Sequence, residues 1–131
     1  MHTIFIKIRG YHLDMYQHVN NARYLELLEE ARWDYIEDKM DLNQWMKDGL
    51  GFAIANININ YRRPATFNQV LEIQSHLSQI GSRSGVISQQ IFLKGTDILI
   101  GDAKVTFVIT DMRTGKALPI EGKIKDSLSL L

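Results

Sequence analysis

Between Phe52 and Thr110 the chain repeatedly alternates apolar and polar residues, and the breaks between the later runs are too short to hide a helix. In FAIANININYRRPA, Ile57, Ile59 and Tyr61 alternate with Asn56, Asn58 and Asn60, and Pro64 closes the run. Three further alternating runs follow, around Val70 to Ile80, Gly85 to Leu93 and Ile98 to Thr110. A period of two is a strand with one apolar and one polar face. The connections GSRSG and KGTD are turn sequences. A parallel crossover needs about a dozen residues or more, so these strands are expected to pair antiparallel. In the last run Leu99, Gly101, Ala103, Val105, Phe107 and Ile109 share one face, and the small pair Gly101 and Ala103 is expected to let a helix approach the sheet closely.

That helix lies upstream. From Asn21 to about Lys39 there is no Gly or Pro, and Leu, Glu, Ala and Arg dominate, which predicts a helix about 27 Å long at about 1.5 Å per residue. At 100° per residue, Tyr24, Leu25, Leu28, Ala31, Tyr35 and Ile36 fall on one side, with Glu26, Glu30, Asp34 and Glu37 opposite. Glu29 and Arg32 break the pattern; spaced i, i+3, they are expected to form a partly buried ion pair, with a role near substrate as the other reading. Met1 to Arg9 reads as a short strand with Ile4, Ile6 and Ile8 on one face. Asp41 to Gly51 reads as a short second helical turn, DMRTGKALPI as a turn and a further edge strand, and the tail to Leu131 as weakly patterned. The sum is an α+β architecture, one long helix packed on an antiparallel sheet of about five strands. Open sheet edges make pairing with a second copy a natural way to cover them.

At 131 residues with 45% hydrophobic content the chain is long enough to bury a core, and residues 1–131 are expected to form one domain. Fifteen basic and fifteen acidic residues cancel, which leaves no overall positive field to draw nucleic acid or an anionic membrane, so neither is an expected partner. The absence of cysteine removes disulfides, thiolate nucleophiles and sulfur-ligated metals. MHTIFIKIRG lacks the apolar core of a signal peptide, and no apolar run approaches the ~20 residues of a membrane span. The expected setting is cytoplasmic.

The chemistry-bearing stretch is YHLDMYQHVNNARY, Tyr11 to Tyr24, with one acid and two histidines just ahead of the helix. His12, Asp14 and His18 are ligand types, but His12 and Asp14 at i, i+2 share a face only in extended backbone. Beyond His76 or a distant acid nothing completes a set, so no metal is expected. No G-x-S-x-G elbow occurs, which argues against a serine hydrolase. The position of Asp14 offers a third use. Asn20 or Asn21 is a good N-cap, so the first free N–H groups of the helix point back at the loop carrying Asp14. Such N–H groups and the positive end of the helix dipole favour an anion, or a carbonyl oxygen that becomes one in a transition state. A carboxylate beside an oxyanion site is minimal equipment for acyl transfer. The structural alternative is that Asp14 only hydrogen-bonds the turn.

The segment DMYQHVNNARYLELLEEAR, followed by NINYRRPA, resembles the hotdog-fold acyl-CoA thioesterases of the 4-hydroxybenzoyl-CoA thioesterase type, most of all the bacterial long-chain acyl-CoA thioesterases of fatty-acid degradation. The resemblance covers nearly the whole chain. It implies a hotdog fold, a long helix wrapped by an antiparallel sheet, in a homodimer or homotetramer. It implies an acyl-CoA substrate hydrolysed with no cofactor, Asp14 acting as nucleophile or as general base on water and the backbone N–H of Asn21 polarising the thioester carbonyl. His18 is a further candidate, as donor to the thioester or as a cap for the loop. The family often has glycine just before that histidine; this chain has Gln17, expected to hydrogen-bond water or substrate instead. For the coenzyme, Arg62, Arg63 and Arg83 are candidate phosphate partners, with only one of the adjacent pair expected to face the ligand. Tyr24, Leu28, Trp45 and Met46 are candidates to line an acyl channel, or simply core. The rival readings are an enoyl-thioester hydratase on the same fold and a non-catalytic acyl-CoA-binding protein.

Overall fold

The structure, a computed structural model, describes residues 1–131. The order of elements is β1 (His2–Lys7), a 3-10 turn (Gly10–His12), α1 (Asn21–Lys39), α2 (Leu42–Lys47), β2 (Leu50–Tyr61), β3 (Val70–Ile80), β4 (Gly85–Leu93), β5 (Leu99–Asp111), β6 (Ala117–Leu118) and α3 (Gly122–Leu128). All strand pairings are antiparallel, in the order β1-β3-β4-β5-β2 with β6 pairing β5. The two strands that flank α1 in sequence therefore lie at opposite edges of the sheet, and α1 connects them. Five long strands match the expected number, and the turn at Thr114-Gly115 leads into the short sixth. No helix is long and apolar enough to cross a membrane.

Alternation decides which side chains enter the core. Ile73, Ile91, Ala103 and Val105 meet Tyr24, Leu27, Leu28 and Ala31 of α1 in one cluster, joined by Ile8 at the end of β1. A second cluster gathers Tyr35, Ile36 and Met40 from the far end of α1 with Trp45, Phe107, Ile109, Ile120 and Leu128. The tail, only weakly patterned in sequence, is tied in because Ile120, Ile124 and Leu128 recur every four residues; Ile120 and Leu128 are buried and Ile124 packs against them.

Three expectations about the core change. Leu25 is 40% exposed, and Leu27 takes its place on the buried side. Arg32 does not pair with Glu29: no ion pair forms between them. Arg32 instead points toward the sheet, where its Nη1 donates to Gln89 Oε1 at 3.1 Å, while Gln89 Nε2 donates to the Leu28 carbonyl and to Ser75 Oγ, both at 3.0 Å. Gly101 serves a strand rather than a helix. A Cβ there would stand 2.8 Å from the Asn60 carbonyl oxygen, so glycine lets the end of β2 come close to β5.

Candidate active site

The loop between β1 and α1 is folded back on itself by backbone hydrogen bonds. Asp14 N–H donates to the His18 carbonyl at 2.9 Å, and Gln17 N–H donates to the Asp14 carbonyl at 3.0 Å. Leu13 bridges to Val19, His18 bridges to Thr66, and Asn20 N–H reaches the His12 carbonyl at 2.9 Å. The hairpin closes because Gln17 adopts φ +64°, the left-handed region. Glycine enters that region without steric penalty, whereas a residue with a Cβ is strained there. The chain thus keeps a glycine conformation with a glutamine. The Gln17 side chain is exposed and does not border the cavity described below.

Asp14 is half-buried. Its Oδ1 accepts from Tyr16 N–H at 2.9 Å and, more weakly, from His18 N–H at 3.4 Å, while Oδ2 accepts nothing within the chain. The turn-holding use and a chemical use therefore coexist, one on each oxygen. Asn20 is the N-cap of α1, its side chain accepting from Ala22 N–H at 2.9 Å. The N–H of Asn21, first in the helix, donates to no group of the chain. The carbonyl of Asn21 is held from outside by the Tyr61 hydroxyl, which donates to it at 3.1 Å.

These groups border one cavity of about 270 Å³, lined by Asp14, His18, Val19, Asn21, Tyr24, Tyr61, Arg62, Arg63 and Pro64. Tyr24 and Tyr61 meet edge to face with centroids 5.5 Å apart. Burial raises the pKa of the Tyr24 phenol, so it is a neutral wall. Both arginines follow the last residue of β2, so strand alternation no longer separates them; their N–H groups share the Ile100 carbonyl, and both reach the cavity. They differ in what they are free to do. Arg62 Nε pairs with Asp102, whose other oxygen accepts from Asn60 Nδ2 at 3.0 Å. The hydrogen bond from Arg62 holds the Asp102 carboxyl below the usual carboxylate range. Arg63 has no such partner.

Arg83 lies elsewhere. It sits in the turn after Ile80, while the cavity is beyond the Val70 end of β3, a strand length of roughly 33 Å away. His12 is buried at 8% exposure, with Nδ1 accepting from Arg9 N–H at 2.8 Å, and burial lowers its pKa. It fastens the loop from behind. No three His, Asp or Glu side chains converge as metal ligands would. Leu28 and Trp45 belong to the core, and Met46 is exposed on a different surface. Tyr61 is the residue the sequence reading placed only on an apolar face; its position directly before the two arginines was the available signal.

The thioesterase-like superfamily matches this chain over residues 8–128. The long-chain acyl-CoA thioesterase FadM of Escherichia coli is 53% identical over 94% of this chain and 93% of its own length. The crystal structure of the probable thioesterase YbaW from Escherichia coli has a TM-score of 0.92 at 50% identity, covering 99% of this chain and 98% of that one. A 1,4-dihydroxy-2-naphthoyl-CoA thioesterase from Synechocystis shares the fold, with a TM-score of 0.84 at 15% identity over 97% of this chain and 94% of its own.

Proposed function

The chain belongs to the thioesterase-like superfamily and is a thioester hydrolase of the acyl-CoA class, and from that premise we propose that it converts long-chain fatty acyl-CoA and water to free fatty acid and CoA with Asp14 as the catalytic carboxylate. The observation that carries the reading is the pairing of two unused groups at one cavity: Asp14 Oδ2, with no hydrogen bond, and the Asn21 N–H, with no acceptor. The carboxylate attacks the thioester carbon or takes a proton from an attacking water. Negative charge then gathers on the carbonyl oxygen, where the Asn21 N–H and the helix dipole stabilise it; one such donor is typically worth ~3 kcal/mol in the transition state. Where the carboxylate activates water, the C–S bond breaks, the thiol leaves with a proton and the acid carries the oxygen of water; where it attacks directly, C–S cleavage leaves a mixed anhydride on Asp14, which a water then hydrolyses to free the acid and restore the carboxylate.

The other residues divide around this centre. Tyr61 positions Asn21 through its carbonyl. His18 borders the cavity beside Asp14, with a side chain free to donate to the substrate. Arg63 is the guanidinium available to a coenzyme phosphate, since Arg62 is held by Asp102. Arg83 is too distant to serve the cavity of its own chain. The chain is further proposed to act as a homodimer or homotetramer, through the open edges that β1 and β2 leave on the sheet. The 53% identity to a long-chain acyl-CoA thioesterase supports the choice of substrate class.

Thiol release from acyl-CoAs of increasing chain length tests the reading directly. Hydration of an enoyl thioester, or mere binding, would release no thiol. Asp14→Asn is expected to bind acyl-CoA and keep its fold while losing most turnover. Near-normal hydrolysis by that variant would overturn the assignment of Asp14.

A further inference from the structure

Three tight turns crowd the end of the sheet where Asp14 sits, and their tips carry the wrong kind of residue for turns. In Asp14–Gln17, closed by the 3.0 Å bond from Gln17 N–H to the Asp14 carbonyl, the two central residues are Met15 and Tyr16. In Thr66–Gln69, closed at 3.2 Å, the first central residue is Phe67. Tyr11 is the middle residue of the 3-10 turn. Gly, Pro, Asn, Asp and Ser ordinarily fill such positions. Here Tyr11, Met15, Tyr16 and Phe67 are 70%, 83%, 71% and 57% exposed. None of the four joins a core cluster or borders the cavity of Asp14.

The turns are fastened to one another. His18 bridges Thr66, Val19 N–H donates to the Ala65 carbonyl at 2.9 Å, and the Tyr11 ring packs on His12 with centroids 4.3 Å apart. Single apolar side chains on a surface need no explanation, but a group of them held on linked turns marks a contact surface. The charge around it says with what. The loops at this end, residues 8–20, 62–69 and 94–98, carry Arg9, Arg62, Arg63 and Lys94 against Asp14 and Asp97. Arg62 is matched by Asp102, and Asp14 is half-buried at the cavity. What remains exposed and outside any ion pair is Arg9, Arg63 and Lys94 against Asp97 alone. Lys94 also lies over the exposed ring of Phe5, 5.1 Å from its centroid. The charges of the whole chain cancel, so attraction for an anionic surface is confined to this end.

We propose that this end of the molecule docks on an anionic lipid surface, Tyr11, Met15, Tyr16 and Phe67 entering the headgroup layer while Arg9 and Lys94 meet lipid phosphates. Tyrosine suits that layer because its ring is apolar and its hydroxyl stays wet, and the flexible thioether of Met15 fits among acyl chains. Neither part holds a protein firmly by itself, so the contact is shallow and reversible. It brings the mouth of the Asp14 cavity to the layer in which a long-chain acyl thioester, being amphiphilic, accumulates. That consequence rests on the function proposed above; the docking itself does not.

Co-sedimentation with vesicles of phosphatidylcholine mixed with phosphatidylglycerol tests the docking. The protein is expected to pellet with the mixed vesicles, to bind phosphatidylcholine alone about tenfold more weakly, and to be released by added salt. Met15→Ser combined with Phe67→Ser should weaken binding to the mixed vesicles about tenfold or more, with the melting temperature unchanged because both side chains stand clear of the core. Lys94→Gln should weaken it about fivefold at low salt. Absence of pelleting with either vesicle would overturn the proposal, as would undiminished binding by the double variant. Equal affinity for neutral and anionic vesicles would overturn it too, since Arg9 and Lys94 would then have no part. If the double variant instead converted an oligomer to monomers in sedimentation velocity, the patch would belong to a second copy of the chain, against the proposal. Pelleting needs no turnover, so failure here is distinguishable from failure of the proposed reaction.

Discussion

The two ends of α1 are built to opposite rules. At its first turn the Asn21 N–H lacks an acceptor and Asp14 keeps one oxygen free, with Asn21 and His18 exposed and Asp14 half-buried around the buried Val19 and Tyr24. Toward the other end, Tyr35 is 2% exposed and every polar atom it owns is used: its hydroxyl accepts from Leu77 N–H at 3.1 Å and donates to the Leu131 carbonyl at 2.9 Å. The N–H it satisfies belongs to a residue where the β3–β4 register shifts, between Leu77 and Gln79. One end of the helix thus stabilises the fold by pairing its buried hydroxyl within the chain, while the other holds groups left to solvent or a ligand. Mutations at the two ends should therefore separate turnover from stability.

The largest expected separation is at Asp14. Asp14→Asn keeps the Oδ1 acceptor that holds Tyr16 N–H, so the melting temperature should hardly move, while kcat falls by roughly 10²–10⁴-fold. If turnover and thermal stability fell together, the loop would be structural and the contrast between the two ends would collapse. Tyr35→Phe should do the reverse. It removes one hydroxyl that serves both Leu77 and Leu131, at a cost of roughly 1–3 kcal/mol in urea unfolding, with kcat per folded molecule unchanged. A change in kcat there would mean that the far end of α1 couples to its first turn.

Asn20→Ala lies between these extremes. Losing the N-cap that pairs Ala22 N–H should cost about 1 kcal/mol of stability. Because the same cap fixes the turn that presents the Asn21 N–H, kcat should also fall, by several-fold, with KM less affected. Stability loss with unchanged kcat would show that the oxyanion donor does not depend on the cap.

How much of this was legible beforehand follows from sequence distance. Asp14 and Asn21 are seven residues apart, and the helix start between them is marked by Asn20, so their convergence could be read from the chain. Tyr61 meets Asn21 from forty residues away, and Arg62 is occupied by Asp102 across a β2–β5 register. Neither pairing leaves a local pattern. The alternation of β2 to β5 made the sheet plain because period two survives burial on one face, yet it misled at Arg62 and Arg63, where the strand has already ended. On α1, angular position alone could not decide between Leu25 and Leu27, and it did not anticipate that Arg32 would be buried against a glutamine of β4. The short helix α3 had its signal in Ile120, Ile124 and Leu128, but seven residues carry too few turns for that spacing to stand out.

The smallest expected effect falls on the residue where the loop departs from the family pattern. Gln17 holds φ +64° with a side chain that does not border the cavity, so two quantities are separable there. Gln17→Gly relieves the left-handed strain, worth roughly 1 kcal/mol, but glycine also loses more chain entropy on folding, so a net gain of about 0.5 kcal/mol is expected. Gln17→Ala keeps the strain and removes the amide, so it should be neutral in stability to within about 0.5 kcal/mol. Neither should change kcat or KM if the amide stays clear of substrate. A fall in kcat in both variants would show that Gln17 reaches the ligand once it is bound. A fall in the glycine variant alone would show that the stiffness of the hairpin, rather than the amide, is what keeps Asp14 Oδ2 aimed into the cavity, and would make the strained glutamine part of how the open end of α1 stays open.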